Sequence, residues 1–191
     1  MKRETESLLC AAQDQAWHTN AIKPKIYKEN ISPMCRLCNK HSETVMHLVR
    51  GCENLAQKDC KKRHDNLGLH IHWLLCCKYD IECSKNWYEH KAKSIEENEK
   101  TKSLWDVTIQ TDIVFEARRP DIVVVDKATK TCQIIDIAVL SDQNLAKKEK
   151  EKIDKYQELK LEIMRMWSVK AWVVPIVVGA LGCTTKILKN I

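Results

Sequence analysis

The chain reads as a mixed α/β protein, and three observations carry that reading. "PDIVVVD" and "CQIIDIAVL" are β-branched runs joined by the polar link KATKT, the pattern of two strands about a turn. From Asp142 to Trp167 no Gly or Pro interrupts a helix-spaced apolar pattern, and Asp142 can cap it. "AWVVPIVVGALG" is a further apolar strand ending at glycines, with TTKILKNI opening a last helix. Strand, strand, helix, strand, helix packs as a sheet covered by helices.

The elements before these follow in order. Residues 1–30 read as mostly helical, broken at Pro24. A Cys/His-rich segment runs from Ser32 to Cys52. Residues 53–100 read as helical and charged, with Trp73, Trp87 and Tyr88 as aromatic anchors, and KSIEENEK around Ile95 as a solvated boundary. "SLWDVTIQTDIVFEA" alternates like a strand pair. The expected domains are a helical segment over 1–31, a small knuckle with a helical linker over 32–100, and an α/β domain over 101–191.

With 191 residues the chain is long enough for a sizeable core. The net charge of +6 leans mildly toward polyanionic partners. No run of about 18 apolar residues offers a membrane span, and the charged start MKRETESLLC is no secretory signal. An intracellular protein is expected. Ten cysteines without secretion point to reduced thiols and a metal site, not a disulfide framework.

Cys35, Cys38, His47 and Cys52 give C-x2-C-x8-H-x4-C. Two cysteines two apart form a tight knuckle on one edge of a tetrahedral zinc, and H-x4-C closes the other from a short helix. His41 is an alternative ligand. Four such ligands suit a closed structural site. Zinc would supply folding energy to a piece too small to fold alone. Lys40, Arg50, Lys58, Lys61, Lys62 and Arg63 nearby suggest phosphate contacts. The remaining cysteines, Cys10, Cys60, Cys76, Cys77, Cys83, Cys132 and Cys183, read as small buried hydrophobes.

Asp121 and Asp136 stand one in each β-rich run. A buried unpaired carboxylate costs several kcal/mol, so something must neutralise them. Adjacent antiparallel strands can bring them together to hold Mg²⁺. On the following helix Leu145, Tyr156, Leu159, Ile163 and Met166 mark one face, and Lys152 lies on it. A lysine there either faces inward or snorkels to water. Acid, acid and lysine follow the logic of the PD-(D/E)xK nucleases: the metal polarises a phosphoryl oxygen and activates water. The usual lysine position, two after the second acid, is Ala138. Either the lysine has moved to Lys152 or the site is dead. Solvated carboxylates at strand ends are the plain alternative.

In one order the chain carries "AAQDQAWHTNAIK", "CRLC…H…C", "RHD", "WDVTIQTD", "ARRPDIVVVD", "IIDIAV", "KIDKYQELK" and "VPIVVGALG". Together these resemble the C-terminal end of the polyprotein of non-LTR retrotransposons with a restriction-like endonuclease, over nearly the whole chain. The resemblance implies a restriction-endonuclease-like mixed sheet flanked by helices, preceded by a helical region with a zinc knuckle. It implies nicking of target DNA to prime reverse transcription of the element's RNA, in the nucleus. By motif, Asp121 resembles the first acid, Asp136 the second, and Lys152 and Tyr156 a K-x3-Y feature on the helix beyond. Cys35, Cys38, His47 and Cys52 resemble the knuckle ligands. Arg36, Lys40, Arg50, Arg63, His64, Arg118 and Arg119 are the expected nucleic-acid contacts. The chain lacks a Y/F-x-D-D polymerase motif, and Leu140 stands where relatives tend to carry proline. A fragment of an element is expected: an endonuclease domain, or an inactive relic that binds nucleic acid without cutting it.

Overall fold

The computed structural model describes residues 2–140 and 145–184, which form two compact units. Among the described residues, the first holds 2–63, 139–140 and 179–183, and the second holds 64–138, 145–178 and 184.

The first unit has little regular structure. Helix α1 (Arg3–Gln13) buries Ala12 against Val45 and Leu181, with Trp17, Met46 and Val49 packed around them. The Gln13 side-chain amide ties α1 to the Leu181 carbonyl at 2.8 Å. Helix α2 (Ile22–Ile26) contains Pro24. The expected break at Pro24 does not occur, because a proline in the first turn forfeits no helical hydrogen bond. A π-helical turn at His47–Gly51, helix α3 (Glu53–Leu55) and a second π turn at Ala56–Cys60 follow.

The second unit is mixed α/β, with an open five-stranded mixed sheet flanked by helices. Its strands are β1 (Ile95–Glu97), β2 (Thr101–Trp105), β3 (Ile122–Asp126), β4 (Thr131–Leu140) and β5 (Lys170–Gly179), adjacent in that order. The first four pair antiparallel. The polar stretch around Ile95, read as a solvated boundary, is the edge strand β1 and its turn. There the Asn98 carboxamide accepts from the N–H groups of Lys100 and Thr101 at 2.9 and 2.7 Å. Of the expected strand pair, residues 103–117, only Ser103 to Trp105, the end of β2, is extended; irregular chain follows it to Asp121. The β3–β4 hairpin closes with Asp126 accepting from the N–H groups of Ala128 and Thr129. Pro175 sits in β5, an edge strand, where a missing N–H need not break the ladder.

Period-2 alternation splits the strands between two cores. Ile122, Val124, Ile135, Ile137, Val174 and Ile176 pack with Ile71 and Leu75 of helix α4 (Lys61–Lys78). Gly68 lets α4 come close: a Cβ there would meet the Trp105 ring at 2.9 Å. On the other face Val123, Cys132 and Ile134 pack with Tyr156, Leu159 and Ile163. The expected single helix is two, α5 (Leu145–Lys155) and α6 (Gln157–Trp167), interrupted at Tyr156. No Gly or Pro causes the break. It falls at a fully buried tyrosine whose hydroxyl is bonded to the sheet. The proposed Asp142 cap and the helix in TTKILKNI lie outside the described residues. Of the expected anchors, Trp73 is partly buried and donates to the Ser84 carbonyl at 2.8 Å, whereas Trp87 and Tyr88 are exposed. Among the described residues no helix is long and apolar enough to cross a membrane.

Candidate functional sites

The Cys/His segment folds as a hairpin knuckle. The Cys35 N–H donates to the His41 carbonyl and the Asn39 N–H to the Cys35 carbonyl, each at 2.8 Å. Asn39 takes the left-handed conformation (φ 53°) that turns the chain between them. A bridge joins Met34 to Ser42. The Thr44 hydroxyl accepts from the His47 N–H at 3.1 Å and starts the π turn. That turn aims His47 Nε2 at Cys38 Sγ, 3.3 Å away, and delivers Cys52 at its end. Gly51 leaves room for the ring: a Cβ there would meet His47 Nδ1 at 3.4 Å. Cys35 Sγ lies 4.0 Å from Cys52 Sγ. The ligand atoms of Cys35, Cys38, His47 and Cys52 all fall within 4.8 Å of one another, so the cluster can bind a metal such as zinc. His41 packs its ring beside His47 and is not in the cluster.

The electrostatics suit a cation. The Lys40 N–H, donating to Cys38 Sγ, draws that thiol down to about 6, toward the thiolate form that metals bind. Burial pushes the Cys52 thiol up instead. Beneath the turn sits a group the sequence reading missed, Glu43, which is fully buried. It accepts from the Asn20 N–H, the Arg36 N–H and the Arg36 guanidinium. Arg36, with those backbone donors, holds its carboxyl down at about 2. Arg36 thus clamps the knuckle turn. Lys40 pairs with Glu53 at 2.6 Å, and Arg63 donates to the Val49 carbonyl at 2.6 Å.

In the second unit Ile122 lies opposite Ile135. One step further brings Asp121 opposite Asp136, the pairing the alternation requires. Asp136 is only 3% exposed. Lys152 forms a close ion pair with its Oδ2, and Lys155 Nζ lies 3.8 Å from its Oδ1. The Tyr156 hydroxyl donates to Oδ1 at 2.5 Å and sits 3.2 Å from the Arg119 carbonyl. The Lys152 head does not snorkel: its side chain is 16% exposed and also reaches the Ile137 carbonyl at 3.4 Å. Burial and the Asp136 carboxylate drive the Tyr156 phenol far up, so it keeps its proton to donate, while its oxygen accepts from Lys155 Nζ at 2.9 Å. Oδ2 of Asp136 carries the ion pair but no directed hydrogen bond. Asp121 accepts from the Ile137 N–H at 2.6 Å. Burial works against its charge, yet His64 and that N–H hold its carboxyl below the ordinary range.

His64, expected to contact nucleic acid, bridges two acids. Its Nδ1 is 3.1 Å from Asp65 Oδ1 and its Nε2 is 3.6 Å from Asp121 Oδ2. Asp121, and after it Asp65, raise its imidazole to about 9 despite partial burial. Within the RHD string, His64 and Asp65 thus stand beside Asp121, while Arg63 holds the Val49 carbonyl. Arg119 is held by Asp106 through two contacts of 2.7 Å, and the Arg118 carbonyl accepts from the Ile109 N–H. Arg50 lies within the first π turn.

A second cluster escaped the sequence reading. His72, Cys76, His90 and Glu96 also bring their ligand atoms within 4.8 Å of one another. Cys76 is therefore no plain hydrophobe, and Cys10, Cys77 and Cys183 are exposed. The H-x3-C spacing on α4 was visible in the sequence, but the other two members come from an irregular segment and an edge strand.

No known family model matches the chain, and no curated protein matches it.

Proposed function

We infer that the second unit is a metal-dependent DNA endonuclease domain of the restriction-like type, and that the first carries a structural zinc knuckle, as in the non-LTR retrotransposon proteins the sequence resembles. The observation that carries the reading is a lysine head, Lys152, brought inward beside Tyr156 to the buried Asp136, which the strand register sets across from Asp121. The Lys152 displacement from the usual position thus has a geometric rationale: the helix after β4 returns it to the second acid.

Asp121 and Asp136 would hold a divalent ion such as Mg²⁺. The buried Asp136 Oδ2, which carries only the Lys152 ion pair, is the oxygen that would take that role. When bound, the ion would polarise the scissile phosphate and lower the pKa of a water. The chain's own residues do the rest. Tyr156 fixes the Asp136 carboxylate through Oδ1. Lys152, the present partner of Oδ2, would stabilise charge at the phosphate. His64, cationic beside Asp121 at neutral pH, offsets negative charge at the mouth of the site. In the first unit, Cys35, Cys38, His47 and Cys52 would enclose zinc, and target DNA and element RNA are the partners.

A second reading, an inactive nucleic-acid-binding relic, is favoured by one observation. Lys152, Lys155 and Tyr156 already neutralise Asp136 without a metal. A plasmid-nicking assay in metal-depleted buffer with and without added Mg²⁺ separates the two. The nuclease reading expects Mg²⁺-dependent open circles that Asp121→Asn abolishes. Retardation of DNA without nicking would leave the relic.

A further inference from the structure

We propose that His72, Cys76, His90 and Glu96 form a second zinc site, a closed His2CysGlu centre within the second unit that pins the irregular segment 79–94 between α4 and β1.

The local structure builds it. His72 and Cys76 are one helical turn apart on α4, so both face the same way. Cys76 Sγ lies 3.7 Å from His72 Nδ1. The 3-10 turn Trp87–Glu89 delivers His90, whose Nε2 stands 2.8 Å from His72 Nδ1. Glu96 sits on β1 directly opposite Ser103 on β2. Its Oε2 is 3.6 Å from His72 Nε2 and 3.7 Å from Cys76 Sγ. Tetrahedral zinc with bonds of about 2.0–2.3 Å spaces its ligand atoms by roughly 3.3–3.8 Å. The contacts observed scatter about that span, with the two imidazoles somewhat closer.

Burial says why a cation belongs there. His72 and Cys76 are fully buried, His90 is buried, and the Glu96 side chain is 9% exposed. Among the described residues Glu96 makes no ion pair with lysine or arginine. A buried carboxylate without a cation is costly. The two rings face each other nitrogen to nitrogen, His72 Nδ1 toward His90 Nε2. One thiolate and one carboxylate with two neutral imidazoles balance a divalent ion. The Ser103 hydroxyl, 3.1 Å from His72 Nε2, gives the ring a hydrogen-bond partner of the kind metal-bound histidines have. A cavity of about 520 Å³, lined in part by His90, Glu96 and Cys83, gives the ion a way in. Zinc suits this nitrogen, sulfur and oxygen set.

The test is zinc analysis and zinc-edge X-ray absorption on the full chain purified under reducing conditions. Two zincs per chain are expected, with sulfur and nitrogen/oxygen ligands in equal number when both sites are averaged. Cys38→Ser should retain one zinc with a single sulfur neighbour. His90→Gln should retain one zinc with three. One zinc in the wild-type chain with a three-sulfur shell overturns the proposal, as does a chain without zinc. The wild-type measurement decides even if a variant fails to fold.

Discussion

The Cys3His knuckle and the Asp121–Asp136 pair gather their side chains in opposite ways. The knuckle draws its groups from one 18-residue stretch and surrounds them with little core. The acid pair draws on β3, β4, α4 and α5 and rests on a packed sheet. The knuckle's thiols and imidazole would be completed by an added cation. The acids bring their own, Lys152 and His64. The first site should therefore need metal to fold, and the second only to act.

The largest expected effect follows from that contrast. Removing zinc, or replacing Cys38 with Ser, should unfold residues 32–52 and leave the second unit folded. Structural zinc binding is worth roughly 10–16 kcal/mol in small zinc-finger peptides. Limited proteolysis should show cleavage confined to the knuckle; a cooperative loss of both units would break the comparison.

Next comes Lys152→Met, which strands a buried carboxylate and should cost roughly 3–5 kcal/mol. Denaturant unfolding of the second unit reads it, and adding Asp136→Asn should recover most of the loss. Recovery in the double variant would show that the pair is neutralised internally, as the comparison requires. Tyr156→Phe should cost less, about 1–3 kcal/mol, for a lost hydrogen bond to a buried charged acceptor.

The smallest effect is in pH. The folded pKa of His64 is raised, to about 9, from an unfolded value near 6.5. Its contribution is fully present below about pH 6.5 and is lost as pH rises through 9. His64→Gln should flatten the stability profile of the second unit across that window and leave the knuckle unchanged. An identical slope in the variant would remove His64 from the acid pair's support.

The same contrast explains what the sequence made legible. The knuckle could be read because its four ligands are local and their spacing is chemical. Asp121 and Asp136 could be read because strand alternation and a short hairpin leave few registers, and Lys152 because it breaks an apolar stripe. His64 could not, since nothing local links α4 to the start of β3. Glu43 could not either: a glutamate in a polar turn looks solvated until Arg36 and two backbone donors are seen to enclose it. The break at Tyr156 carries no glycine or proline signal; its cause is a tertiary hydrogen bond. His90 and Glu96 were hidden by polar surroundings that read as surface, one in an irregular segment and one on a short edge strand.

Mg²⁺ titration of the full chain in metal-depleted, zinc-loaded buffer, followed by denaturant unfolding of the second unit, tests whether the internally paired acids also take a metal. If they do, Mg²⁺ at a hundredfold its dissociation constant should stabilise that unit by about 2.7 kcal/mol, and Asp121→Asn should erase the gain. Equal stability of the wild-type chain with and without Mg²⁺, or an undiminished gain in Asp121→Asn, would contradict the account and leave Asp136 and Lys152 as an ion pair alone.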